Sequence, residues 1–515
     1  MRWHSLILPI TAGLVAGCSV NPVTGDRDFM LVSSEQELAM GEQSYVPMQQ
    51  SQGGVYDVDP ILTEYVSNVG MKVANESGVD LPYEFVVLNN SVPNAWALPG
   101  GKIAINRGLL TEMNSEAELA AVLGHEVTHA AARHSAQQQS RGMLTQGLVV
   151  ATTIAASDSG YGDLAAVGAG LAGQLTLMKY GRDAELESDK YGMRYMSKAG
   201  YDPQGAVTLQ ETFVRLSEGQ KQDWLSGLFA SHPPSQERVD ANRRRLKNLP
   251  EGGIIGEDRY AAAMRTTREV LPAYKAYDDG RAALGKKDPV AALALANEAL
   301  TLFPDEAHFH ALRGDVRLMN EQYDMAVTNY NRAIGRRDDF FYYYLQRGLA
   351  QHRLDRDDAA LTDLERSLEY LPTAPAHLVL GDIKAERGAT SEAIDHYKVV
   401  AKGGGDVGKA AYERLVYLEL EQQPAAYVAS ACGVDDNGQV ALQVRNDTPV
   451  EVIDVQVRFA YVDAAGAQQQ RTQTFSGALE PGKIVTTRTG LTAYPSTRCE
   501  ATVSRARPAD APSRP

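Results

Sequence analysis

His125-Glu126-Val127-Thr128-His129 places two imidazoles and a carboxylate within five residues. Positions four apart share one face of an α-helix, so both imidazoles can converge on a single Zn²⁺. Glu126 points beside that face, where a carboxylate can take a proton from a metal-bound water. The chemistry implied is hydrolysis. Ser115-Glu116-Ala117-Glu118 reads as a capping box, and Leu119, Val122 and Leu123 have helical spacing, so the sequence itself predicts the helix.

Two ligands are too few, because a catalytic zinc usually has three protein ligands and an open position. A third histidine six residues after His129, with a glycine three after it, is excluded: those places hold Ser135 and Ala132. A glutamate from a later helix is the alternative. In Tyr180-Gly181-Arg182-Asp183-Ala184-Glu185-Leu186-Glu187-Ser188-Asp189, Glu185 and Asp189 lie one turn apart. One can bind metal while the other orients a ligand imidazole. Glu187 is the rival ligand, but at 100° per residue it points about 160° away from their face. Gly200 and Asp202-Pro203 stop this helix.

These motifs resemble the zinc metallopeptidase family of the HtpX heat-shock proteases and CAAX prenyl-protein proteases. Its members are gluzincins that combine an HExxH helix with a glutamate from an ExxxD motif. The resemblance covers about residues 25–245. It implies an α+β peptidase, mostly helical with a small sheet, and one Zn²⁺ per chain held by His125, His129 and Glu185. Glu126 would activate water and Asp189 would orient a ligand. Asn94-Ala95-Trp96-Ala97-Leu98-Pro99-Gly100-Gly101, followed by Ile103 and Ile105, resembles the family's strand before the active helix. Read from its residues, it is a turn leading into an alternating strand, which is either internal or able to pair with an extended peptide. Ser188 stands where the family more often has alanine, a small residue either way.

Ser231-His232-Pro233-Pro234-Ser235-Gln236-Glu237-Arg238 resembles the family's His-Pro segment. In periplasmic members that survey outer-membrane barrel assembly, the matching histidine can occupy the open zinc position and hold the enzyme latent. Carried onto His232, this implies a latch; the plainer reading is a loop histidine that stabilises a turn. Arg238 has two readings as well: it stabilises an oxyanion, or it pairs with Glu237 or Asp240.

The start of the chain suggests an address. Arg2, an apolar run from Leu6 to Val15, then Ala16-Gly17-Cys18 have the layout of a secretory signal. The run is shorter than the ~20 residues a membrane span needs. Leu14-Val15-Ala16-Gly17-Cys18 resembles a bacterial lipobox, which implies cleavage before Cys18 and its lipidation. Ser19, rather than aspartate, resembles the sorting signal for the outer membrane. A plain cleaved signal is the other reading. Acyl chains would anchor the protein at the periplasmic face. Cys432 and Cys499 then remain as a pair that would cross-link in an oxidising compartment, worth roughly 4 kcal/mol in the chain-entropy model; two buried free thiols are the alternative. Met143 to Tyr180 is rich in alanine and glycine, but Asp158 and Asp163 interrupt it, so it reads as a segment between the two metal-binding helices that shields the cleft or touches substrate.

A length of 515 residues suggests three or four domains at about 150 residues each. The net charge of −15 argues against nucleic-acid binding and leaves no basic patch for a membrane. The expected organisation is a signal and lipobox over 1–18, a tether over 19–50 that becomes helical near Ser33-Ser34-Glu35, and the peptidase over 51–250. An all-α tetratricopeptide solenoid follows over 258–425, then a small all-β sandwich over 428–506 and a disordered tail over 507–515. Gly280, Gly314 and Gly348 recur every 34 residues, with Ala292, Ala326 and Ala360 twelve residues after them. Ala299 and Ala333 follow at nineteen, and Pro304 and Pro372 at twenty-four after Gly280 and Gly348. Gly381, Ala393 and Tyr397 make a fourth, shifted copy. Small residues at such a period let paired helices cross closely. The stack is concave and either binds a peptide or partner or is purely structural. Phe340 to Tyr344 would divide between core and groove. Alternating strands at 439–445, 450–461 and 484–489 suggest the sandwich.

The expectation is a zinc endopeptidase that hydrolyses misfolded or stalled envelope proteins, with the repeats presenting clients or engaging the outer-membrane barrel assembly machinery. The rival is a chaperone or assembly adaptor with a latent peptidase.

Overall fold

A computed structural model of the chain describes residues 18–142, 180–219, 231–494 and 498–510. The signal expected before Cys18 and the alanine- and glycine-rich segment up to residue 179 lie outside the described residues. Two compact units result, one within 1–354 plus 369–371 and the other within 355–368 plus 372–515. Among the described residues no helix is long and apolar enough to cross a membrane.

The first unit opens with an antiparallel hairpin of β1 (Cys18–Val20) and β2 (Arg27–Phe29). Asn21 closes its turn, the side-chain oxygen accepting from the Val23 amide at 2.9 Å in the Asx geometry that favours asparagine in turns. Helix α1 (Ser34–Ser51) follows behind a capping box between Ser33 and Gln36. The expected tether over 19–50 is therefore folded. Its polar residues are turn and cap formers rather than linker, and Glu37 is buried against Arg133 at 2.6 Å.

Helix α2 (Pro60–Asn75), started by Asp59 and Pro60, lies beside a three-stranded sheet. The strands are β3 (Glu84–Leu88), β4 (Ala95–Leu98) and β5 (Lys102–Asn106), in the order β3-β5-β4. β5 is central, parallel to β3 and antiparallel to β4, and Ile105 pairs with both Val87 and Ala95. This corrects the expectation for Ile103 and Ile105: a strand paired on both sides cannot add a substrate strand. All five residues of β5 are buried, as befits a strand covered on both faces.

After α3 (Arg107–Thr111) comes α4 (Glu116–Ala131), which carries the histidine pair and is buried along its whole length. Ser115 caps it by accepting from the Glu118 amide at 3.2 Å. Helices α5 (Arg182–Lys198), α6 (Gln204–Gly219) and α7 (Gln236–Leu246) complete the enclosure. Leu62, Val66, Leu119, Leu123, Met193 and Met196 fill the core between them.

Five helices of the repeat pattern continue in this unit after α8 (Glu257–Ala263): α9 (Arg265–Gly285), α10 (Pro289–Leu302), α11 (Ala307–Met319), α12 (Tyr323–Ile334) and α13 (Phe341–His352). Ala292 and Ala326 are completely buried, and a Cβ on Gly280 would lie 2.8 Å from Leu312, so the small residues mark the close crossings. Phe340 and Tyr343 are buried, whereas Phe341, Tyr342 and Tyr344 keep some exposure. Polar contacts tie these helices to the sheet region: Gln50 bridges the Asp339 carbonyl and the Phe341 amide, each at 2.8 Å, and the buried Arg107 guanidinium lies 3.5 Å from the centre of the Tyr274 ring.

The second unit contains α14 (Asp357–Tyr370) as far as Leu368, with α15 (Ala374–Glu386), α16 (Thr390–Ala401) and α17 (Gly405–Glu419). Strands β6 (Val428–Val434), β7 (Gln439–Asn446), β8 (Val452–Val462), β9 (Gln468–Thr474), β10 (Ile484–Thr492) and β11 (Glu500–Pro508) follow, so Arg507 and Pro508, expected in a disordered tail, are instead paired with Ile453 and Val452 of β8. They form two antiparallel sheets, ordered β10-β7-β6 and β11-β8-β9. Leu442, Val444, Val457, Phe459 and Val503 share one apolar core. Cys432 and Cys499 are joined as a disulfide, with Cα atoms 5.3 Å apart.

Candidate metal centre

Helix α4 contributes His125 and His129, α5 contributes Glu185 and Asp189, and the entry to α7 contributes His232 and Arg238. The helices α4 and α5 cross at two glycines. A Cβ on Gly192 would stand 2.8 Å from the Gly124 carbonyl carbon, so only glycine permits the contact. Backbone touching at Gly124 brings His125 against the face of α5 that holds Glu185 and Asp189, seven and three residues before Gly192.

One donor atom from each of His125, His129, Glu185 and His232 lies within 4.8 Å of the others, and all four residues are buried. The Nε2 atoms of His125 and His129 are 3.0 Å apart, and His232 Nδ1 is 3.3 Å from His125 Nε2. Glu185 reaches His232 Nδ1 at 2.9 Å and His129 Nε2 at 3.4 Å. Facing ring nitrogens at this separation need a proton or a cation between them, because their lone pairs repel. Three imidazoles and one carboxylate are a donor set suited to Zn²⁺, so the residues fit the metal that the motifs imply.

Glu126 is buried, with Oε1 3.6 Å from His232 Nε2. Among the described residues its Oε2 has no hydrogen-bond partner. Burial pushes its carboxyl pKa up, which raises its basicity toward a proton from water.

Around these residues lies a second ring of contacts. His125 Nδ1 meets Asp189 Oδ1 at 3.0 Å. Arg238 donates to Asp189 through Nε at 2.8 Å and Nη2 at 2.7 Å, while Nη1 lies 2.9 Å from Glu185. Arg238 therefore pairs with neither Glu237 nor Asp240. Capping by Ser235 starts α7 so that Arg238 faces inward and Glu237 outward, where Glu237 pairs with Arg182 and Asp240 lies 3.5 Å from Arg243. The guanidinium bridges two carboxylates, Asp189 and Glu185, at the wall of the cavity that holds His125 and Glu126.

The charges follow from this geometry. Burial disfavours an imidazolium at His125, but Glu185 and Asp189 outweigh it and push its pKa up to about 9. At His129 burial prevails and holds the pKa well below the usual value. Burial would raise the Asp189 carboxyl, yet Arg238 holds it well below the usual range.

Two contacts escape sequence reasoning. His134 Nδ1 stands 2.9 Å from His129 Nδ1, and the Tyr180 ring stacks on His129 with centroids 3.9 Å apart. In an unbroken helix, His134 would point about 140° away from His129. The chain breaks the helix at Ala132 and Arg133, and Arg133 takes a left-handed φ of 62° that turns His134 back. Only the proximity of a third histidine to the motif could have signalled it. Ser188 is fully buried with its hydroxyl 3.5 Å from His134 Nδ1. Glu187 stands apart from the four-residue cluster.

A family model for peptidase family M48 matches residues 60–246, which contain every residue of this centre. The beta-barrel assembly-enhancing protease of Yersinia pestis is 29% identical over 262 residues, 50% of this chain and 53% of that protein. The mitochondrial metalloendopeptidase OMA1 of Schizosaccharomyces pombe is 35% identical over 248 residues, 46% of this chain and 68% of that protein. The chain spans about half the length of the beta-barrel assembly-enhancing proteases it matches. A solved structure of MamA, 20% identical, covers 27% of this chain and 86% of its own with a TM-score of 0.24. By its matched segment, and by its likeness to most of the fission-yeast relative, the chain belongs to peptidase family M48.

Proposed function

We propose that this chain is a zinc endopeptidase in which His125, His129 and Glu185 hold the metal and Glu126 is the general base. The observation that carries the reading is the buried cluster of three imidazoles and one carboxylate, with the unpartnered Oε2 of Glu126 beside it. Zinc held there supplies Lewis acidity toward water and the peptide carbonyl. Glu126 takes the proton of the attacking water and returns it to the leaving amine. Asp189 fixes the ring of His125, and Arg238 fixes Asp189.

His232 occupies the fourth place in the cluster, which supports reading this arrangement as latent: the 231–234 segment must withdraw before substrate reaches the metal. β4 is the strand for substrate addition, because one of its edges is free of β5 and Ala95 lines the same cavity as His125 and Glu126.

The clients we propose are misfolded or misassembled envelope proteins, since relatives are named beta-barrel assembly-enhancing proteases. The peptidase domain spans 51–250, and repeats over 258–425 select clients or dock on the barrel assembly machinery. The β region at 428–506 is a small sandwich serving as a docking module. A lipid on Cys18 holds the protein at the periplasmic face of the outer membrane.

The test is Glu126→Gln. Wild type should carry one zinc per chain and cleave an unfolded protein. The variant should keep its zinc and lose about 10²–10⁴-fold in rate, the usual worth of a general base. Cleavage by the variant at the wild-type rate would overturn the proposal.

A further inference from the structure

We infer that His134 and Glu187 form a relay that positions the ligand His129, and that the N-terminal hairpin sets this relay. The inference rests on His129 as a zinc ligand. It assigns positioning roles to residues outside the metal-binding motifs.

If His129 gives Nε2 to the metal, its Nδ1 carries the proton and donates to His134 Nδ1 at 2.9 Å. His134 must then carry its own proton on Nε2, which lies 3.4 Å from Glu187 Oε1. Each ring fixes the tautomer of the next, and the sequence of contacts ends on a carboxylate. It is a carboxylate–histidine–metal arrangement lengthened by one imidazole. The His134 side chain is only 3% exposed and that of Glu187 25%, so the relay runs from the core to the surface.

Two features locate the relay, and both involve the hairpin. Asn21 Nδ2 donates to Glu187 Oε1 at 3.4 Å. Arg133, whose left-handed backbone turns His134 toward His129, is held by Glu37 at 2.6 Å, Ser19 at 3.0 Å and the Val32 carbonyl at 3.1 Å. A non-glycine residue at positive φ costs about 1–3 kcal/mol and persists only where its surroundings impose it. Residues 19–37 supply those surroundings. The hairpin therefore reaches His129 through three successive contacts, Asn21–Glu187, Glu187–His134 and His134–His129.

The test compares wild type with Glu187→Gln, His134→Phe and His134→Gln by zinc affinity, measured in competition with a chromophoric chelator. The visible spectrum of the cobalt-loaded protein and the thermal midpoint of the metal-free protein are recorded alongside. His134→Phe should weaken zinc about 10–100-fold, the usual effect of losing such an outer partner, and shift the cobalt bands. His134→Gln, whose amide oxygen can accept from His129, should restore most of the affinity. Glu187→Gln, at a partly exposed site, should weaken zinc without lowering the midpoint. Wild-type affinity and an unchanged cobalt spectrum in Glu187→Gln and His134→Phe would overturn the relay. Unweakened zinc binding in His129→Ala would instead overturn the ligand assignment on which it rests.

Discussion

His125 meets a carboxylate at once, at 3.0 Å to Asp189, whereas His129 meets a second imidazole, His134, at 2.9 Å. Asp189 is clamped by Arg238 from α7, inside the peptidase core. Glu187, which ends the other route, is held by Asn21 of the hairpin. Two histidines one turn apart on the same helix thus have opposite electrostatics. His125 is pushed up to about 9 by Glu185 and Asp189 against its burial, and His129 is driven down by burial. In the metal-free protein the surroundings thus favour the protonated ring at His125 and the neutral ring at His129.

The largest effect is expected from Asp189→Asn. It leaves the buried guanidinium of Arg238 without its main partner, and breaking a buried pair costs about 3–5 kcal/mol. Thermal unfolding of the metal-free variant and chelator competition should both move strongly, whereas Glu187→Gln should move only the second. Equal responses from the two variants would erase the contrast.

The proton on His125 gives the next effect. Because its pKa is raised, the stability it contributes is fully present below about 6.5 and is lost as pH climbs through about 9. Metal-free protein should therefore become less stable over that interval through this group. Zinc affinity should rise about tenfold per pH unit over the same interval and then flatten, since binding releases one proton. Calorimetry in buffers of different ionisation enthalpy would count that proton. A count of zero near neutral pH would place both histidines in the same neutral state.

Asn21→Ala should give the smallest change, about two- to tenfold in zinc affinity, the worth of one ordinary hydrogen bond. Chelator competition resolves it, and it should act only in protein that retains His134.

The His125 side of the centre is largely legible in the sequence. Helical spacing alone puts His125 and His129 on one face and Glu185 and Asp189 on another. The 34-residue spacing of Gly280 and Gly314 likewise marks helix crossings, because a side chain there would clash with Leu312 or Tyr330 of a neighbouring helix. The His129 side is hidden. Its relay depends on a single left-handed residue, Arg133, that breaks the helical period, and on partners more than a hundred residues away. Gly124 and Gly192 look like poor helix formers until their backbones touch. β5 reads as alternating, yet helices α1 and α4 cover its two faces and bury every residue, which no local pattern discloses. Arg238 looked free to pair with its neighbours Glu237 and Asp240 because the inward face of α7 is set by Ser235 and by long-range carboxylates.

X-ray absorption at the zinc edge, on wild type and His232→Ala, tests the ligand set most directly. Wild type should show three imidazoles and one carboxylate oxygen at about 2.0–2.2 Å, and the variant should show one imidazole fewer with an oxygen in its place. A sulfur ligand, or an imidazole count unchanged by removing His232, would contradict the account.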